Sequence, residues 1–90
     1  MRKTAIIKEG VLSLVGNTPL ISLKNIFPEY HFDIYAKMEM QNPGGSIKDR
    51  TSYAIIAQAL QEGIIDSDTV IIESTSGNMG IGLAQICLFF

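Results

Sequence analysis

"IYAKMEMQNPGGSIKDRTSYAIIAQALQEG", Ile34 to Gly63, changes its periodicity partway along, and that change decides the fold. From Ile34 to Met40 the apolar residues fall at alternate positions, as in a strand with one covered face. Beyond "QNPGGS" the pattern widens. Ile47, Ala54, Ile55, Ile56, Ala57, Ala59 and Leu60 form a broad stripe suited to a helix lying on a sheet. Ser46 and Asp49 make an S-x-x-D pattern, close to the capping box, at the helix start. Gly63 supplies a stop. The stretch reads as strand, glycine loop, helix.

Working outward, "KEGVLSLV" at 8–15 reads as a short helix or turn, broken by Gly16, Asn17 and Pro19. Leu20 to Lys24 reads as a short strand, and "NIFPEYHFD" as a loop interrupted by Pro28. Towards the C-terminus, Val70 to Ile72 is a continuous apolar run, as in a strand covered on both faces. "STSGN" is a loop. "MGIGLAQICLFF" reads as a helix in which Gly80 and Gly82 allow close packing. The order strand, strand, helix, strand, helix predicts an α/β fold, a parallel sheet with flanking helices.

Ninety residues hold at most one small domain. With 47% apolar and 18% charged residues the composition is that of a globular protein, not a disordered one. A net charge of −2 with scattered basic residues points away from nucleic acid and anionic membranes. The single cysteine, Cys87, cannot form an internal disulfide, which fits a reducing compartment, and its helix position predicts a core residue. The start "MRKTAIIKEG" is interrupted by Lys8 and Glu9, so it is no signal-peptide core. No stretch approaches the roughly 18 apolar residues of a membrane span. The expected location is cytoplasmic. His31 stands alone in a loop and reads as solvated, and no metal-ligand cluster stands out.

Two glycine loops remain, "QNPGGS" and "STSGN", each following a strand and opening a helix. In a right-handed βαβ unit both leave the same edge of the sheet, where open α/β sheets bind ligands. Helix N-termini offer unpaired N–H groups and a partial positive charge, so they attract anions. Lys48 falls in a first helical turn, where an ammonium is disfavoured, and a neutral lysine amine is a nucleophile. Taken singly, each feature has a plainer reading: a tight turn, a solvated lysine, a common loop composition. A phosphate loop of the G-x-x-x-x-G-K-[ST] type is excluded by spacing, because Lys48 follows Ile47 and precedes Asp49. A G-x-G-x-x-G dinucleotide fingerprint is absent. The residues alone leave open an anion-binding edge with or without a chemically active lysine.

Three motifs together are more specific than any one. "VGNTPL", "AKMEMQNPGGSIKDR" and "ESTSGNMGIGLA", spanning 15–84, resemble the cysteine synthase family of fold type II pyridoxal-phosphate enzymes. The resemblance implies that Lys48 binds pyridoxal 5'-phosphate covalently and is the catalytic base. It implies that Asn78 hydrogen-bonds the cofactor, and that Thr75, Ser76, Gly77 and the backbone of Met79 grip the substrate carboxylate. The implied reaction is β-replacement on an O-activated L-serine. Cysteine synthases usually carry P-T-S-G-N-T. "ESTSGN" followed by Met79 looks more like the branch that makes a 2,3-diaminopropionate precursor for siderophores, joining O-phosphoserine to glutamate. The alternative is a cysteine synthase using O-acetylserine and sulfide. An alternative of another class is a small-anion-binding module without catalysis. The implied partners are amino-acid substrates, with full-length relatives as homodimers.

Members of that family run to several times this length. Their Gly/Thr-rich loop for the cofactor phosphate, and the serine at the pyridine nitrogen, lie downstream of T-S-G-N. Residues 1–90 are therefore expected to be an incomplete N-terminal part, in keeping with a last helix that runs uncapped to Phe90. Residues 11–33 would pack against a larger domain, and 34–90 would form part of a smaller one. Alone, the chain is expected to be inactive and to hold the cofactor poorly.

Overall fold

Pro28 and the polar run around it turn the chain back on itself. In the computed structural model, which describes residues 8–90, Leu20–Ser22 (β1) pairs antiparallel with Tyr35–Lys37 (β2). The register sets Leu20 opposite Lys37, Ile21 opposite Ala36 and Ser22 opposite Tyr35. The pairing continues past both ends: Leu23 N–H donates to Ile34 O and Met38 N–H to Pro19 O, each at 2.9 Å. The basic start at 1–7, read above as no signal-peptide core, lies outside the described residues. The short helix or turn expected at 8–15 is a single 3-10 turn, Val11–Leu14.

Lys48–Gln61 (α1) and Asn78–Phe89 (α2) are the two α-helices, and they pack on each other. The buried face of α1 runs Asp49, Ser52, Ile56, with Leu60 half-buried one turn on, the spacing of one helical face. It is narrower than the stripe expected from sequence, for Ile55 stays exposed. α1 stops as Gly63 predicts. Gly63, at φ 73°, takes the left-handed conformation. Its N–H donates to Leu60 O at 3.1 Å while Ile64 N–H donates to Ala59 O at 2.9 Å, a Schellman motif. From α2, Leu83 and Ile86 meet Ile56, and Leu12, Val15, Leu60, Ile65 and Met79 close around that cluster.

Three expectations need correction. The sheet formed by the described residues is antiparallel and two-stranded, not parallel. The Val70–Ile72 run is extended but joins no ladder, and Val70 and Ile72 are 79% and 88% exposed. A strand apolar on both faces needs layers above and below and a neighbour at its edge, and nothing among the described residues supplies them. Cys87, expected in the core, is exposed: the face of α2 turned to α1 is that of Leu83 and Ile86. Among the described residues no helix is long and apolar enough to cross a membrane.

Candidate functional site

The first glycine loop is a turn with a buried anchor. Gly45 N–H donates to Asn42 O at 2.8 Å across Pro43 and Gly44, and Gly45 sits at φ 88°, a conformation that disfavours a side chain. Asp49, 0% exposed, turns its carboxylate back under this turn and accepts the N–H of Gly44. A Cβ on Gly44 would collide with that carboxylate, so the two glycines have separate reasons. Ser46 Oγ accepts the N–H of Lys48 at 3.1 Å. The expected Ser46–Asp49 capping box is therefore not reciprocal. Asp49 reaches Gly44 instead, and α1 begins at Lys48, behind Ile47 at the N-cap.

Lys48 opens α1 with its side chain exposed, and among the described residues its amine makes no ion pair and donates no hydrogen bond. The neighbouring cations are committed. Lys37 Nζ donates to Thr18 O at 2.5 Å. Arg50 Nε pairs with Glu39 Oε1 at 2.5 Å, and its Nη2 donates to Glu39 Oε2 at 3.2 Å. Thr18 Oγ1 donates to the same carboxylate, and Asn42 Nδ2 donates to both Glu39 O and Oε1. Asn42 Oδ1 in turn accepts Gly16 N–H at 2.7 Å. The Arg50 guanidinium first, and the Thr18 hydroxyl second, hold the Glu39 carboxyl well below its ordinary 4.5, at about 2. This network ties the "GNTPL" loop to the first turn of α1. The sequence pattern assigns Thr18, Glu39, Asn42 and Arg50 no role. The signal that could have found them is polar residues, in two of the three motifs, that no turn requires.

The second loop is organised by Thr75. Its Oγ1 accepts the N–H groups of Gly77 and Gly80, each at 3.1 Å, and so caps α2 from two residues before the N-cap. A Cβ on Gly80 would come within 2.6 Å of Thr75 Cγ2, which explains one of the helix glycines. With Gly77 and Gly80 engaged, the N–H groups of Asn78 and Met79 have no acceptor among the described residues. The side chains of Ser76 and Asn78 are exposed beside them.

The two first turns meet. Ser52 Oγ, one turn into α1, donates to Met79 Sδ at 3.6 Å, so the Met79 side chain points at α1 and only its backbone faces the loop. Gly82 lies against α1 so closely that a Cβ there would stand 2.5 Å from Ser52 Oγ and 3.1 Å from Lys48 O. Helix packing thus sets the N-terminal halves of α1 and α2 against each other, where a shared parallel sheet edge was expected to join their loops. Residues 69–73 and α2 also border a cavity of about 380 Å³ reaching Gly80 and Cys87, and none of Lys48, Ser76 or Asn78 lines it. Among the described residues no group of three or more His, Cys, Asp or Glu side chains could hold a metal ion.

Comparison with known proteins adds three findings. A family profile described as pyridoxal-phosphate dependent enzyme matches residues 11–90. A cysteine synthase of Staphylococcus aureus is 46% identical over 79 residues, covering 88% of this chain and 26% of that protein. Among solved structures, a hydrogen sulfide-producing enzyme from Fusobacterium nucleatum superposes with a TM-score of 0.87 at 50% identity, over 94% of this chain and 28% of that one. An O-acetylserine dependent cystathionine beta-synthase from Helicobacter pylori gives a TM-score of 0.82 at 38% identity, over 94% and 28%. The chain spans about a quarter of the length of the curated relatives it matches.

Proposed function

Because the chain belongs to the pyridoxal-phosphate dependent enzyme family, we propose that it carries the lysine and the substrate-carboxylate loop of an enzyme of β-replacement on an O-activated L-serine. One observation carries the reading. Lys48 opens α1 with its backbone carbonyl against Gly82 of α2, and Ser52, one turn on, bonds Met79 at the head of α2, where the N–H groups of Asn78 and Met79 have no acceptor among the described residues.

The donors present fit the group that the family uses. Lys48 Nζ, free of any partner among the described residues, would hold the aldehyde of pyridoxal phosphate, and the exposed Asn78 carboxamide would hold its ring oxygen. When bound, the cofactor supplies the electron sink that lets an amino acid lose its Cα proton. Once the substrate amine has replaced it on the aldehyde, the freed Lys48 Nζ would take that proton from Cα and later return it. Between those steps the Cβ–O bond breaks, the leaving group departs with the bonding pair, and the nucleophile forms its bond to Cβ. The substrate carboxylate would sit at the head of α2 on the N–H groups of Asn78 and Met79 and the hydroxyl of Ser76. Thr75 keeps its O–H free to donate, since its oxygen already accepts two N–H groups. Gly77 keeps the backbone slim there, its own N–H being taken by Thr75.

The relatives' activities lie nearer the O-acetylserine and sulfide alternative than the O-phosphoserine and glutamate reading, and the former is our proposed reaction. A non-catalytic anion module would use the same helix ends but gives no role to Lys48. We propose the same division of the chain as the family resemblance implies. Residues 11–33 would face a larger domain, which accords with Phe27, Tyr30 and Phe32 stacking on one another while exposed. The test is a chimera in which 11–90 replaces the matching segment of the Staphylococcus aureus cysteine synthase. Cysteine formation from O-acetylserine and sulfide, abolished by Lys48→Ala, supports the proposal. A chimera that folds, binds cofactor and makes only the glutamate adduct from O-phosphoserine restores the other branch.

A further inference from the structure

Two buried oxygens beside Gly44 have no hydrogen-bond donor among the described residues: Asp49 Oδ1 and Gln85 Oε1. Asp49 is 0% exposed, and its other oxygen accepts the N–H of Gly44. The position a Cβ would take on Gly44 lies within collision range of the carboxylate and 2.9 Å from Gln85 Oε1, so the carboxylate and the carboxamide converge on one point. Two acceptors facing each other out of water repel, and neither has what it needs. A carboxamide, however, has an acceptor end and a donor end of nearly the same size. A half-turn of the Gln85 side-chain amide brings its NH2 to the place of its oxygen. Nε2–H then donates to Asp49 Oδ1, and the Gln85 oxygen leaves the buried position where it has no donor.

We infer that Gln85 is a positioning residue for Lys48, acting through a Gln85–Asp49–Gly44 clamp. The clamp joins α2, the first turn of α1 and the glycine turn ahead of it, and no other side-chain bond among the described residues ties α2 to that turn. Asp49 is the next residue after Lys48, and Ile47 at the N-cap offers no side-chain cap. Release of Asp49 frees Gly44 and leaves Lys48 at a fraying helix end. The consequence for Lys48 rests on the proposed function; the Asp49–Gln85 bond does not.

Exchange of donor and acceptor tests the bond. Gln85→Glu sets two carboxylates face to face, and Gln85→Met removes the donor at similar volume, so each lowers the thermal midpoint of the chain by several degrees. Asp49→Asn with Gln85→Glu restores it, because an asparagine at 49 still accepts Gly44 N–H and its amide donates to the glutamate. Unchanged midpoints in both single variants, or no recovery in the exchange, overturn the bond. The positioning role is read in the chimera carrying residues 11–90, from the share of borohydride-trapped pyridoxal phosphate found on Lys48 against the other lysines. That share falls several-fold in Gln85→Met and returns in the exchange variant; a share that stays constant overturns the role. An unsubstituted chimera with no preference for Lys48 contradicts the proposed function, while the midpoints still decide the bond.

Discussion

The backbone carbonyl of Lys48 lies 3.1 Å from where a Cβ on Gly82 would stand, so the residue proposed to do the chemistry is seated directly on the small-residue face of α2. That face has no slack: Ser52 Oγ is closer still, at 2.5 Å. Gly82→Ala gains helix propensity of about 1 kcal/mol. It also wedges a methyl between the helices, at about 1–3 kcal/mol for overpacking. A net loss of stability in urea unfolding is expected. Ser52→Ala in the same chain relieves only part of it, because the Lys48 carbonyl cannot move without its helix. Full relief would mean that the Ser52 hydroxyl alone sets the contact.

The core is small enough for single residues to show. Ile86 is 0% exposed between α1 and α2, so Ile86→Ala should cost about 2–5 kcal/mol. Leu88→Ala, on the exposed side of the same helix, should stay within about 0.5 kcal/mol. Similar midpoints for the two variants in chemical denaturation would contradict the placement of the α1–α2 interface.

Much of this arrangement is legible in the residues. The stop at Gly63, the first-turn place of Lys48 and the close-packing role of Gly82 all follow from local pattern, because each depends on a backbone conformation or a helical face. The partner of Asp49 does not. S-x-x-D suggests a bond to Ser46, yet the carboxylate goes to Gly44, a choice made by the shape of the turn. The Thr18–Glu39–Asn42–Arg50 network joins residues distant in sequence with no periodicity to betray it. The Val70–Ile72 run reads as a strand because its side chains suit one, but a strand also needs neighbours, and composition cannot state whether they are present.

Acid should loosen the link between the "GNTPL" loop and α1. Glu39 titrates at about 2 in the folded chain against an ordinary 4.5, because Arg50 and Thr18 favour its ionised form. A depressed carboxyl stabilises the fold fully above its ordinary value and loses that contribution as pH falls towards about 2. The urea midpoint of the native chain should therefore exceed that of Glu39→Gln at neutral pH and converge with it as pH drops through that window. A gap that stays constant with pH would remove the ion pair from the account of this loop.

Thr75 is placed to hold α2 by its hydroxyl oxygen, and Thr75→Val should lose that cap at about 0.5–2 kcal/mol. Thr75→Ser keeps the oxygen and should keep most of the stability. Amide hydrogen exchange at Gly77 and Gly80 reads the cap directly: faster exchange is expected in the valine variant and near-native exchange in the serine variant. Equal protection in both would mean that the loop is held by something else.

The most direct measurement is a peptide map of the chimera carrying residues 11–90 after brief exposure to pyridoxal phosphate and borohydride reduction. Among the described residues Lys48 Nζ at the head of α1 has no partner, while Lys37 is tied to Thr18. Label concentrated on Lys48 is the expected result. Label spread evenly over the lysines would contradict the assignment of Lys48 as the reactive amine of this site.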